Sequence, residues 1–330
     1  MSRTLLAATA VVLLVGAGCS PADPLTERAP AGPTRTSATT AAATGSAPAE
    51  ATPASPSTAA ASRPRATLPR GGRTVFPQHR LVGYAGRTGS PTLGRLGTGG
   101  LDSRVGEMID RAQPYAADGR RVLPVLEVVA TVVQGSPGRD GKYRTRMSDP
   151  QVEVYLKAAR RHKAVLLLAI QPGRADFLPE VKAYEKWLAQ PDVGVALDPE
   201  WAMDEGQRPG RTFGHTTGSE LDSVSRYLSA LVAEHDLPQK VMVFHELAPR
   251  IVTGEGKLRP HPGVAVVKSV DGIGSPAAKR NTYRVVNEDT PSFVQPGFKL
   301  FYDEDREAGP LMKPADVLRL RPRPAYVLYE

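Results

Sequence analysis

The chain of 330 residues has a single cysteine, Cys19, so it can form no internal disulfide, and its fold must be held by its core. Aromatic residues make up only 6% of the chain, and none occurs before Phe76. Residues 20–68 are 49 positions, of which 38 are Ala, Pro, Ser or Thr. A stretch with so little bulky apolar surface cannot offset the entropy of ordering its backbone, so residues 19–75 read as a disordered tether. Long hydrophobic runs are also lacking. The apolar run at the N-terminus, Leu5 to Val15, is 11 residues, short of the roughly 20 that a membrane-spanning helix requires. Nor is there a block of one charge. From Phe76 to Glu330 the 35 basic and 31 acidic residues are interspersed, a pattern that excludes a dedicated nucleic-acid-binding element.

What is present at the N-terminus is an export signal. Arg3 supplies the positive region, the 11-residue run the apolar one, and Gly16-Ala17-Gly18 the small residues before a cleavage site. Small residues followed by Cys19 resemble the lipobox of bacterial lipoproteins, with Gly16 where Leu or Val is usual. That resemblance implies a signal peptide over 1–18, acylation of Cys19, and a partner in the membrane itself. The protein would then sit lipid-anchored on the outer, extracytoplasmic face of the cell membrane. Prolines 48, 53, 56 and 64 stiffen the tether locally, and Ser and Thr among Pro form an acceptor pattern for O-glycosylation.

From Arg80 short apolar runs alternate with amphipathic stretches. The expected strands are Arg80–Ala85, Val122–Val128, Ala164–Ile170, Val193–Asp198, Lys240–His245, Val264–Asp271, Phe298–Asp303 and Ala325–Tyr329. Helical spacing falls over Leu101–Ala117, Pro150–His162, Asp176–Gln190, Ser219–His235 and Ser275–Asn287. Eight such units in residues 76–330 match the size of an α/β fold of the (β/α)8 TIM-like barrel type, here without a clear final helix after the eighth strand. An open doubly wound sheet is the competing architecture. Gly83-Tyr84-Ala85-Gly86 after the first strand does not fit a dinucleotide fingerprint, and no Gly-x-Ser-x-Gly elbow or His-x-His pair occurs, so neither cofactor nor metal is expected.

The strands end in polar residues: Glu127, Gln171, Asp198 with Glu200, His245 with Glu246, Asp271, and Asp303 with Glu304. In a parallel barrel these ends share one face, where barrel enzymes carry their chemistry. Any one carboxylate there could simply cap a helix; five or six together read as a site. Trp201, Tyr84, Tyr302 and Tyr329 are the aromatics expected at its rim.

The segment Val195-Ala196-Leu197-Asp198-Pro199-Glu200-Trp201 carries an Asp-x-Glu pair at a fourth strand end. It resembles the catalytic signature of chitinase-like and muramidase-like glycoside hydrolases, although Ala196 and Val193 stand where the chitinase pattern has further Asp residues. The resemblance implies that Glu200 protonates the glycosidic oxygen and that Asp198 supports the substrate's N-acetyl group. Glu127, Gln171, Trp201, His245, Glu246, Asp271 and Asp303 would bind substrate. Four segments, Gln171-Pro172-Gly173-Arg174-Ala175-Asp176-Phe177, Leu197 to Trp201, Leu237-Pro238-Gln239-Lys240 and Asp271-Gly272-Ile273-Gly274, resemble an uncharacterised family of secreted or lipid-anchored actinobacterial barrel lipoproteins. Members often carry Asp where this chain has Ala169 and Gln where it has Glu246. Three functional classes follow: a hydrolase of a cell-wall or extracellular N-acetylhexosamine glycan, a non-catalytic glycan-binding lipoprotein, and an envelope-assembly factor.

Overall fold

The computed structural model describes residues 65–330; the signal segment, Cys19 and most of the tether lie outside the described residues. Eight parallel strands form a closed ring: β1 His79–Gly86, β2 Arg121–Val133, β3 Val165–Ile170, β4 Val193–Leu197, β5 Lys240–Glu246, β6 Val264–Val270, β7 Gln295–Leu300 and β8 Tyr326–Tyr329. Closure is made by β1, which pairs in parallel with β2 on one side (Leu81 opposite Leu123) and with β8 on the other (Leu81 opposite Tyr326). The chain is therefore a (β/α)8 barrel rather than an open sheet.

Alternation along each strand divides the core in two. Inward residues such as Leu81, Leu123, Val125, Leu167, Val243 and Val267 fill the barrel. Outward residues such as Val82, Leu126, Leu168, Phe244 and Val327 meet the helices. Adjacent strands approach most closely at two inward glycines. A Cβ on Gly83 would stand 2.2 Å from the Val125 carbonyl oxygen, and one on Gly194 2.4 Å from that of Val241. Only glycine lets adjacent strands pack at these points.

The outer layer comprises α1 Leu101–Ala112, α2 Asp149–Arg161, α3 Phe177–Lys182, α4 Glu185–Leu188, α5 Gly218–Glu234, α6 Pro276–Val286, α7 Glu304–Ala308 and α8 Pro314–Val317. Local chemistry starts the longer ones. The Thr217 side chain accepts from Glu220 N at α5, and that of Ser275 from Ala278 N at α6, where Pro276 occupies the first turn. The helix expected over 176–190 is two short helices. Its break falls at Tyr184, whose hydroxyl is drawn under β2 to donate to the Ala130 carbonyl at 2.7 Å.

Several boundaries differ from expectation. Strand β2 runs to Val133, five residues past the expected Val128, where Arg144–Arg146 pairs with it antiparallel. Strand β7 begins and ends three residues early; its end is set where the Asp305 carboxylate accepts from Phe301 N (3.0 Å) and turns the chain into α7. Ordered chain also begins before residue 75. Leu68 and Val75 are buried with the interior cluster and Phe76 packs against it, closing the floor formed by the strands' N-terminal ends. Val75 N donates to Gln239 Oε1 and Gln239 N to the Arg73 carbonyl, both at 2.8 Å, while Arg73 pairs with Asp236. The last part of the expected tether is thus a stopper for the barrel.

Candidate functional site

The C-terminal ends of the strands form the barrel's mouth, and a chain of charged groups crosses it. His245 is an inward residue of β5, following Val241 and Val243 at two-residue intervals. Its Nδ1 lies 2.8 Å from Asp271 Oδ2, just beyond β6. Its Nε2 is 3.1 Å from Glu127 Oε1 and 3.8 Å from Asp198 Oδ1, yet makes no well-directed hydrogen bond to either. Asp271 also accepts from Ser269 Oγ at 2.8 Å and pairs with Lys299 Nζ at 3.1 Å. Lys299 reaches on to Glu330 Oε2 at 2.6 Å. On the far side, Tyr326 Oη donates to Glu127 Oε2, also at 2.6 Å. Six strands or strand ends thereby contribute to one buried network.

Asp198 leaves β4 and opens a single 3-10 turn, Pro199–Trp201, fastened by Trp201 N to the Asp198 carbonyl (3.0 Å) and by Gly214 N to the Glu200 carbonyl (2.7 Å). The turn holds Glu200 and Trp201 half-buried above the network. One carboxyl oxygen of Glu200, Oε2, is buried without a hydrogen-bond partner.

These surroundings separate the protonation states. Burial pushes Glu200 up to about 8, and the negative fields of Asp198 and Asp271 add to it. Burial likewise pushes Asp198 up to about 7 against the pull of His245 and Lys299. Burial alone would lower His245, but Asp271 and Glu127 outweigh it and hold the ring well above the usual imidazole range. For Asp271, burial is overcome by His245 and Lys299, which keep it below the ordinary carboxylate range. Near neutral pH the mouth therefore combines a neutral, proton-carrying Glu200 with an imidazolium, an ammonium and the Asp271 carboxylate. A protonated acid beside ionised neighbours is suited to general acid chemistry. Among the described residues no group of three or more His, Cys, Asp or Glu is placed to hold a metal ion.

Of the expected site residues, Asp198, Glu200, Glu127, His245 and Asp271 come together, with Trp201 on the same turn as Glu200. Gln171 serves the mouth as a tie, its Oε1 accepting from Val133 N at 3.1 Å. Two others do not join. Glu246 follows His245 directly and so faces outward, 3.2 Å from Lys268, which also holds Glu255 at 2.6 Å; burial raises it to about 8. Asp303 is exposed at the start of α7, because β7 ends at Leu300. The expected rim aromatics are corrected too. Tyr84, Tyr302 and Tyr329 form an outer-layer cluster with Tyr115, in which Tyr302 and Tyr329 stack at 5.5 Å and the Tyr115 and Tyr329 hydroxyls meet at 2.7 Å. Sequence reasoning missed Lys299, Tyr326, Ser269 and Glu330. A strict two-residue alternation could have found Lys299, since apolar Phe298 and Leu300 flank it and face the helices.

The chain matches no protein-family model and no curated protein.

Proposed function

We propose that this is a lipid-anchored extracytoplasmic protein whose barrel acts as a glycoside hydrolase on a cell-wall or extracellular glycan containing N-acetylhexosamine. The observation that carries the reading is Glu200, a carboxyl group raised to about 8, with one buried oxygen left without a partner beside Asp198. In this reading Glu200 donates its proton to the glycosidic oxygen and Asp198 orients the N-acetyl group whose carbonyl attacks the sugar. His245, Lys299 and Asp271 fix the field in which both carboxyls titrate.

A second reading, glycan binding without turnover, is favoured by two features. Glu127, Asp198, His245 and Asp271 are all buried, and the inward position of β3 nearest the mouth is Ala169, where members of the resembled family often carry Asp. Wall-derived oligosaccharides distinguish the two. Release of new reducing ends supports hydrolysis, and retention of intact oligosaccharide supports binding alone. Neither release nor retention across several such glycans would overturn both.

The anchor has its own test. Cys19 is the only acceptor in the chain, so Cys19→Ser is expected to move the protein from the membrane fraction into the medium. Unchanged partitioning would rule out lipid attachment at that residue.

A further inference from the structure

The barrel's floor has a charge division that the linear sequence conceals. Strands β8, β1, β2 and β3 are consecutive around the ring. The segments leading into their floor ends, residues 318–325, 65–78, 113–121 and 162–164, contain nine Lys/Arg against one carboxylate, Asp118. The segments leading into the other four strands, residues 189–192, 235–240, 258–263 and 287–294, contain four carboxylates against two cations, Arg259 and the buried Lys240. One half of the floor is therefore strongly basic. Several of its cations have no carboxylate partner: among the described residues Arg70, Arg120, Arg121, Lys163 and Arg321 form no ion pair, although Arg70 donates to the Val122 carbonyl and Arg321 to those of Arg319 and Leu320, and all but the half-buried Arg120 are exposed. A cavity of about 280 Å³ opens in the same sector, with Arg70, Arg121 and Gln113 bordering apolar Ile109, Ala112 and Val122.

We infer that this sector is a docking surface for anionic phospholipid headgroups. Clustered exposed cations at a membrane surface are attracted by anionic lipid over about a Debye length, and a basic patch reinforces a lipid anchor. The placement fits that partner, because Arg65–Gln78, the segment connecting the barrel to the N-terminal region, lies across this floor, held at Asp236 and Gln239 by Arg73 and Val75. It reaches the basic sector through Arg70, which donates to the Val122 carbonyl, and Gln78, whose carbonyl accepts from Arg121 N. The cavity supplies guanidinium and amide groups for a phosphate above an apolar floor for the adjoining glycerol and acyl carbons. For its orientation the inference rests on anchoring through Cys19; the attraction to lipid does not.

The test uses the full chain carrying Cys19→Ser, so that no acyl group contributes, and sedimentation with vesicles of mixed phosphatidylglycerol and phosphatidylcholine or of phosphatidylcholine alone. The quantity read is the ratio of binding to anionic over neutral vesicles. Reversing Arg121, Lys163 and Arg321 to Glu is expected to lower that ratio by about tenfold or more, and salt near 0.5 M to abolish the preference. A second variant, Arg70→Glu with Arg120→Glu, should act in the same direction, and thermal melts confirm that each variant is folded. The control reverses three exposed cations at the mouth, Arg139, Arg208 and Arg211, and should leave the ratio unchanged. The inference is overturned if the parent shows no preference for anionic vesicles, if the mouth variant loses as much as the floor variants, or if soluble polyphosphate at equal charge competes as well as vesicles do. Should Cys19→Ser stay on cell membranes, the anchor reading fails while the vesicle ratio still decides this one.

Discussion

Glu200→Gln is expected to reduce release of reducing ends by about 10²–10⁴-fold, the usual contribution of a general acid, and at the same time to stabilise the fold above neutral pH. The two effects share one cause. The folded protein holds the Glu200 proton up to about 8, whereas the ordinary value is 4.5. Between those values the folded state binds a proton that the unfolded state has released, so stability falls as pH rises through the interval. Glutamine keeps the shape and cannot ionise, so its advantage over wild type should be absent near pH 5 and present near pH 9. Thermal melts at both pH values, alongside the hydrolysis assay, check this. Equal melting differences at the two pH values would mean that Glu200 is not held protonated. Normal turnover by the variant would remove it from the chemistry.

Asp271→Asn is expected to destabilise the fold strongly. Asp271 is the common counter-charge of His245 and Lys299, at 2.8 and 3.1 Å, and the acceptor for Ser269 Oγ. Without its charge two buried cations face one another with reduced compensation, a loss of about 3–5 kcal/mol by analogy with other broken buried pairs. The sign with pH follows from its depressed value. Its stabilisation is full above the ordinary carboxylate range and is lost as pH falls through the folded value. Chemical denaturation should thus show the largest gap from wild type at neutral pH and a smaller one in strong acid. The His245 ring should also titrate lower in the variant, which NMR can follow. A neutral-pH difference below about 1 kcal/mol would show that the network does not depend on this carboxylate.

The barrel was legible in the sequence because each strand is a short apolar run bounded by amphipathic or turn-forming segments, and seven of the eight starts fall close to where those runs begin. The exception, β7, opens with Gln295-Pro296-Gly297, three residues that carry no strand signal. Reading it three residues late exchanged Lys299 for Asp303. The remaining errors are errors of parity. His245 and Glu246 are adjacent, as are Tyr326 and Val327, and only the pleat decides which of each pair looks inward. Grouping polar residues by strand end found Glu127, Asp198, His245 and Asp271. It could not separate Glu246, and it chose Tyr329 over Tyr326. The division of charge on the floor was invisible for a different reason: its cations come from four segments far apart in the chain, which meet only when β8 pairs with β1.

The filled interior, covered below by Leu68, Val75 and Phe76, makes the barrel a cup and not a tube. Nothing can thread through it, so whatever reaches His245 must enter and leave by one opening, past Glu200 and Trp201. A long polymer could be engaged only where it presents a free end or where a stretch of it lies across the lip. A processive grip, with polymer feeding in at one side and product leaving at the other, would have to be built from the mouth loops alone.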